Sequence, residues 1–120
     1  MREIAGIGRL MALDLAGLGG RISVWDIDRE KLDKVVAELA TGSEPARGYH
    51  CNVAKREDVY RVAAEMTAAA GAVDILINNA GVVSGRTFLE IPFFQVAATS
   101  AIYTLSLFWV TKALLPQMIE

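Results

Sequence analysis

Val73-Asp74-Ile75-Leu76-Ile77 runs straight into Asn78-Asn79-Ala80-Gly81, and this junction constrains the fold more than any other stretch of the chain. A short, nearly continuous apolar run over residues 73–78 reads as a strand covered on both faces. That is the pattern of a parallel sheet between helices, not of a sheet with one wet face. Paired asparagines followed by a small-residue turn are unusual in a plain connection. A buried Asn offers both a donor and an acceptor, so it can bridge neighbouring strand ends. Ala80 and Gly81 leave room for a flat ligand against the backbone. A purely structural turn is the alternative.

The remaining sequence alternates helix and strand around this run. Residues 9–18 read as a helix with Leu10, Met11 and Leu13 available to pack inward, ended by Gly17-Leu18-Gly19-Gly20. Residues 21–25 form a short strand. Asp28 is placed to cap the next helix, where Leu32, Val35, Val36 and Leu39 fall at i, i+3, i+4 and i+7. Residues 41–45 are a loop by composition, and 47–51 a further strand. A helix over 55–70 carries the stripe Val59, Val62, Ala63 and Met66 and stops at Gly71. Residues 94–118 are helical again. The alternation predicts an α/β domain, a parallel sheet with helices on both faces, in one domain spanning residues 1–120.

Composition narrows the function classes. Apolar residues make up 53% of the 120, which suits elements covered by helices or partners. The net charge of −2 comes with no run of like charge, so neither nucleic acid nor an anionic membrane surface is indicated. The single Cys51 allows no internal disulfide and fits the cytoplasm or another reducing compartment, as a small buried hydrophobe at a strand end. His50, the lone histidine, has no neighbouring ligands for a metal and reads as a surface or strand-end residue. Met1-Arg2-Glu3 does not open a signal peptide, because no apolar core follows. Residues 101–119 are the only membrane candidate. Thr104, Ser106, Thr111, Lys112, Pro116 and Gln117 interrupt them, so a helix buried on several sides is the expectation.

Three features point to a nucleotide. Gly6-x-Gly8 stands directly before a helix, where glycines let a pyrophosphate approach and the helix N-terminus supplies oriented N–H groups. An ordinary glycine turn would look the same. Asp26 follows at the end of the next strand, near the spacing at which a carboxylate accepts hydrogen bonds from adenosine ribose hydroxyls. It would also repel the extra phosphate of NADP, so NAD is expected. A solvated loop acid is the bland alternative. The Asn78–Gly81 junction is the third feature.

With these residues in place, the chain from Gly6 to about Leu115 resembles the short-chain dehydrogenases/reductases, in their N-terminal cofactor-binding half. Val24-Trp25-Asp26-Ile27-Asp28 and Leu107-Phe108-Trp109-Val110-Thr111-Lys112-Ala113 resemble the retinol and hydroxysteroid dehydrogenase branch. The resemblance implies that Gly6, Ile7 and Gly8 line the pyrophosphate and the start of the nicotinamide path. Asp26 would select NAD over NADP, and Ile27 would flank the adenine. Ala5, where many NADP-preferring members carry a basic residue, agrees with NAD. Asn52-Val53 would stand beside the adenine, where the family has Asp-Val. Asn79, Ala80 and Gly81 would run along the cofactor, and Val82, Val83 and Ser84 would border the nicotinamide end.

The sequence departs from the family in three places. The family's first glycine motif falls on Met1 and Arg2, so the opening strand has no counterpart. That strand would lie centrally, and two interior edges would be left unpaired. Residues 93–103 match poorly, and Tyr103 falls where the family has an Asn that orders a relay water. Its reach and shape suggest a core or interface aromatic instead. Finally, Tyr49, Tyr60 and Tyr103 are followed four residues later by Val53, Ala64 and Leu107, never by the Lys of the family's acid/base pair. The expected architecture is thus an incomplete doubly wound, Rossmann-type sheet lacking the first strand and the catalytic half, with no catalytic residue and no metal ligand. The expected function is the cofactor-binding part of an NAD(P)-dependent oxidoreductase acting on an alcohol or ketone. Two other readings stay open. One is a non-catalytic protein that pairs with a full-length relative through residues 100–118, using Leu105, Phe108, Trp109, Leu114 and Leu115. The other is a truncated product without function.

Overall fold

A computed structural model describes residues 6–40, 45–82 and 85–120. The chain divides into two compact units, residues 1–52 and 53–120.

The first unit contains helix α1 (Ile7–Gly17), strand β1 (Ser23–Asp26), helix α2 (Arg29–Leu39) and strand β2 (Arg47–His50). The strands pair in parallel, with Ser23 opposite Arg47 and Asp26 opposite His50. Helix α2 is the crossover that a parallel pair requires. Its apolar stripe explains its seat: Leu32, Val35 and Leu39 are buried against Ala12, Leu13 and Ala16 of α1 and against Ile22 and Val24. Gly48 lets β2 lie close on this helix, since a Cβ there would come within 2.8 Å of Val36 Cγ2. Leu10, expected to face inward, is exposed. Leu13 packs with Ala12 and Ala16 against α2, and Leu10 falls at the edge of that contact.

The C-terminal end of α1 and the N-terminal end of α2 follow their sequence signals. Helix α1 is closed by Gly19, whose φ of +88° suits glycine, with Gly20 N–H donating to Leu15 O at 2.9 Å. Asp28 caps α2, its carboxylate accepting from Lys31 N–H at 3.2 Å. Between the helices, Arg9 grips Glu38 through Nε at 3.0 Å and through a second, shorter contact.

These pairs make stability sensitive to acid. The Lys31 backbone N–H, aided by the Lys31 ammonium, holds the Asp28 carboxyl below the usual range. The Arg9 hydrogen bonds do the same for Glu38. A carboxyl depressed in the folded state contributes stability above its unfolded pKa of about 4, and that contribution is lost as pH falls below this value. The urea midpoint is therefore expected to drop between pH 6 and pH 3, and Glu38→Gln to shrink the drop. A midpoint independent of pH would contradict these pairings.

The second unit holds helix α3 (Arg56–Ala70), helix α4 (Phe93–Ser100), a wide five-residue turn (Ala101–Leu105) and helix α5 (Ser106–Met118). Val59, Val62, Ala63 and Met66 of α3 are buried, as their spacing predicts, and face α5, which buries Ser106, Val110 and Leu114. Gly71, at φ +83°, ends α3. Gln117 Nε2 donates to Thr67 Oγ1 at 3.0 Å and ties the C-terminal ends of the two helices. The Arg56 guanidinium lies over the Trp109 ring, 6.0 Å from its centre.

Two sequence expectations fail here. Residues 73–78 form no strand: no ladder pairs them among the described residues, and Ile75 and Ile77 are 67% and 46% exposed. A strand is defined by its partners, and the described sheet contains only β1 and β2. The apolar run therefore keeps the composition of a buried central strand without its hydrogen bonds. The second correction concerns the long C-terminal helix. Phe93–Met118 is not buried on several sides; Phe93, Phe94, Leu105, Leu107, Phe108 and Leu115 are exposed. By length and composition it is also apolar enough to cross a membrane, although core helices pass the same test.

Candidate functional site

In the first unit, the predicted site residues lie at the N-terminus of α1 and just at or after the C-terminal ends of β1 and β2. Gly6 is the N-cap of α1 and provides no side-chain cap. Gly8, expected just ahead of the helix, lies within its first turn. Among the described residues, no side-chain cap bond is made at this end, and no acidic residue stands in the first turn. That arrangement leaves a partial positive charge open to an anion such as a pyrophosphate.

Asp26 is only 3% exposed, which removes the reading of a solvated loop acid. Its Oδ1 accepts from Asp28 N–H at 2.7 Å, and its backbone carbonyl accepts from Cys51 N–H at 2.9 Å. The carboxylate is thus held at the C-terminal end of β1, the end at which parallel α/β sheets bind ligands. Ile27, next in sequence, is a partly exposed apolar side chain, and its carbonyl lies 3.0 Å from His50 Nε2. This contact, with the Asp26–His50 register, brings the end of β2 and the following Cys51-Asn52 beside Asp26-Ile27. Cys51 is fully buried, as expected of a strand-end hydrophobe.

In the second unit, Val53 is buried. Asn79, Ala80 and Gly81 follow the unpaired 73–78 run and are half-buried. Asn78 does not bridge strand ends; it is exposed and its Nδ2 reaches Thr111 Oγ1 of α5 at a long 3.4 Å. Ala5, Val83 and Ser84 lie outside the described residues. An open hollow of about 410 Å³, lined by Arg56, Glu57, Tyr60, Trp109 and Lys112, contains none of the predicted site residues. Among the described residues, no three His, Cys, Asp or Glu side chains are grouped to hold a metal ion.

Tyr103 was underrated by the sequence. Its hydroxyl donates to Val82 O at 2.6 Å, and its ring lies against Gly81. At 46% exposed it is not a core aromatic; it sits in the wide turn beside the Gly81–Val82 segment.

The short chain dehydrogenase family profile matches residues 3–120. This chain belongs to that family. Short-chain dehydrogenase/reductase family 16C member 6 of Bos taurus is 41% identical over 119 residues, covering 97% of this chain and 37% of that protein. Epidermal retinol dehydrogenase 2 of Mus musculus is 41% identical over 117 residues, covering 96% of this chain and 38% of that protein. This short-chain dehydrogenase chain therefore spans well under half the length of these curated relatives. An NAD+-bound xylitol dehydrogenase superposes with a TM-score of 0.88 at 33% identity, over 94% of this chain and 44% of that one. A metagenomic short-chain oxidoreductase in complex with NADP gives 0.87 at 30% identity, over 95% and 52%. The described short-chain dehydrogenase fold is accordingly the N-terminal, Rossmann-type α/β half of the family, with a two-stranded parallel sheet and flanking helices. The family is one of oxidoreductases whose solved members hold either nicotinamide cofactor.

Proposed function

We propose that these residues form the NAD-binding part of an oxidoreductase acting on an alcohol or ketone. The carrying observation is Asp26, buried at the end of β1 and fixed by Asp28 N–H. A carboxylate there accepts hydrogen bonds from the adenosine ribose hydroxyls and repels the 2′-phosphate of NADP. The uncapped N-terminus of α1 behind Gly6, with Ile7 and Gly8, would receive the pyrophosphate. Ile27, Asn52 and Val53 would flank the adenine, and Asn79, Ala80 and Gly81 would follow the cofactor toward its nicotinamide. When bound, the nicotinamide supplies the hydride acceptor or donor. No tyrosine in residues 1–120 is followed four residues later by Lys, so no pair here can tune a phenol for proton transfer. Cofactor binding, not turnover, is what these residues would perform by themselves.

For the activity of a longer protein, relatives named as retinol and estradiol dehydrogenases support a hydrophobic alcohol or its carbonyl form as substrate. Cys51, buried and the single cysteine of the sequence, suits a reducing compartment. The exposed apolar row of the C-terminal helix gives some support to the pairing reading, through Leu105, Leu107, Phe108 and Leu115. Leu114 is buried against α3 and cannot serve it.

Titration of the purified chain into NADH tests the proposal. Saturable enhancement of nicotinamide fluorescence, displaced by NAD and poorly by NADP, is expected. Lack of any saturable change, with co-purification of a full-length relative, would favour the pairing reading.

A further inference from the structure

The helix that runs from Phe93 to Met118 is interrupted by the five-residue turn Ala101–Leu105, in which Ser106 N–H donates to Ala101 O, five residues back. Such a widened turn inserts one residue into the helical repeat. It rotates the side chains that follow by about 100° relative to those before. Wide turns of this kind cost regular hydrogen bonding and concentrate at functional positions. Ser106 steadies this one: its buried hydroxyl donates to the Ile102 carbonyl. Tyr103 occupies the centre of the turn.

From there Tyr103 makes two contacts with one short segment. Its hydroxyl donates to Val82 O at 2.6 Å. Its ring covers Gly81 so closely that a Cβ on Gly81 would stand 2.8 Å from the hydroxyl oxygen and 2.9 Å from Cε1. Among the described residues, no ladder pairs the preceding residues 73–78. The Gly81–Val82 backbone thus draws a specific hold from Tyr103 of the C-terminal helix.

We propose that Tyr103 is a positioning residue. Its hydroxyl latches the Val82 carbonyl and its ring fixes Gly81, setting the backbone along which the cofactor's nicotinamide end would lie. The latch itself rests on the geometry above; its role toward the cofactor rests on the proposed NAD-binding reading. The glycine at position 81 gains a second purpose, since it is the residue that lets the tyrosine ring approach.

Tyr103→Phe keeps the ring and removes only the donor. In the 120-residue chain, the Val82 carbonyl ¹³C resonance is expected to move upfield. Amide exchange at Gly81 and Val82 should quicken by about two- to fivefold, the loss of one modest hydrogen bond. The thermal midpoint should move little, which separates this outcome from general unfolding. Unchanged resonance and exchange would overturn the latch. Gly81→Ala provides a second arm. It should perturb the same resonances strongly beside Tyr103 and far less in a Tyr103→Ala background, and additive effects would count against the contact. NADH titration then reads the cofactor role. A wild-type chain that binds, with Tyr103→Phe binding about two- to fivefold more weakly, supports it. Equal affinities would overturn the cofactor role while leaving the latch to the exchange result. A wild-type chain that binds no cofactor would sink the NAD-binding reading and the cofactor role together, and the latch would again stand or fall on exchange alone.

Discussion

Asp26→Ala weakens NAD binding by about 10- to 100-fold. A hydrogen bond to a charged group is worth roughly 1.5–3 kcal/mol, and each 1.4 kcal/mol is a factor of ten. The carboxylate is held at the end of β1 by Asp28 N–H, at the strand end where ribose hydroxyls would meet it. The preference between cofactors should move further than the NAD affinity alone, because removing the negative charge also lifts repulsion of the NADP phosphate. Asp26→Asn separates these effects. It keeps an acceptor for Asp28 N–H, and hence the start of α2, while losing the charge. Isothermal titration of both variants with NAD and NADP checks the result. An Asp26→Asn chain that keeps the wild-type preference would show that this carboxylate does not select the cofactor.

The second large effect concerns stability. Leu114→Ala is expected to cost about 2–5 kcal/mol, read as a fall in the urea midpoint. Leu114 is among the largest fully buried side chains and belongs to α5, whose buried face meets the stripe of α3. Truncating it leaves a cavity in the buried face that α5 shares with α3, which the helices can close only by shifting. The loss would consume much of the 5–15 kcal/mol by which whole domains are stable. Leu107→Ala, on the exposed side of the same helix, is the control and should change little. Equal effects at the two positions would mean that the exposed face is covered in solution.

The elements legible in the sequence were those whose signals are local. Asp28 caps α2, Gly19 and Gly71 end helices at positive φ, and the apolar stripes of α2 and α3 are the buried ones, because capping and periodicity act within a few residues. The 73–78 run was misread for the complementary reason. Its composition records burial in a complete sheet, whereas its strand character depends on partners distant in sequence that the described sheet does not include. Leu10 and the C-terminal helix failed in the same way, since apolar periodicity identifies a face to be covered but not what covers it. At the site, spacing placed Asp26 at a strand end, where it ends β1. Tyr103 was visible only as a departure from the family pattern, because its contact with Val82 depends on a one-residue widening of the helix that periodicity does not reveal.

The most direct test of the cofactor reading is thermal unfolding of the 120-residue chain with and without NAD at about 100 times its dissociation constant. A native state that binds it should gain about 2.7 kcal/mol and melt cooperatively at a higher temperature, with a smaller shift for NADP. A cooperative melt that NAD leaves unmoved would contradict the claim that these residues hold the cofactor.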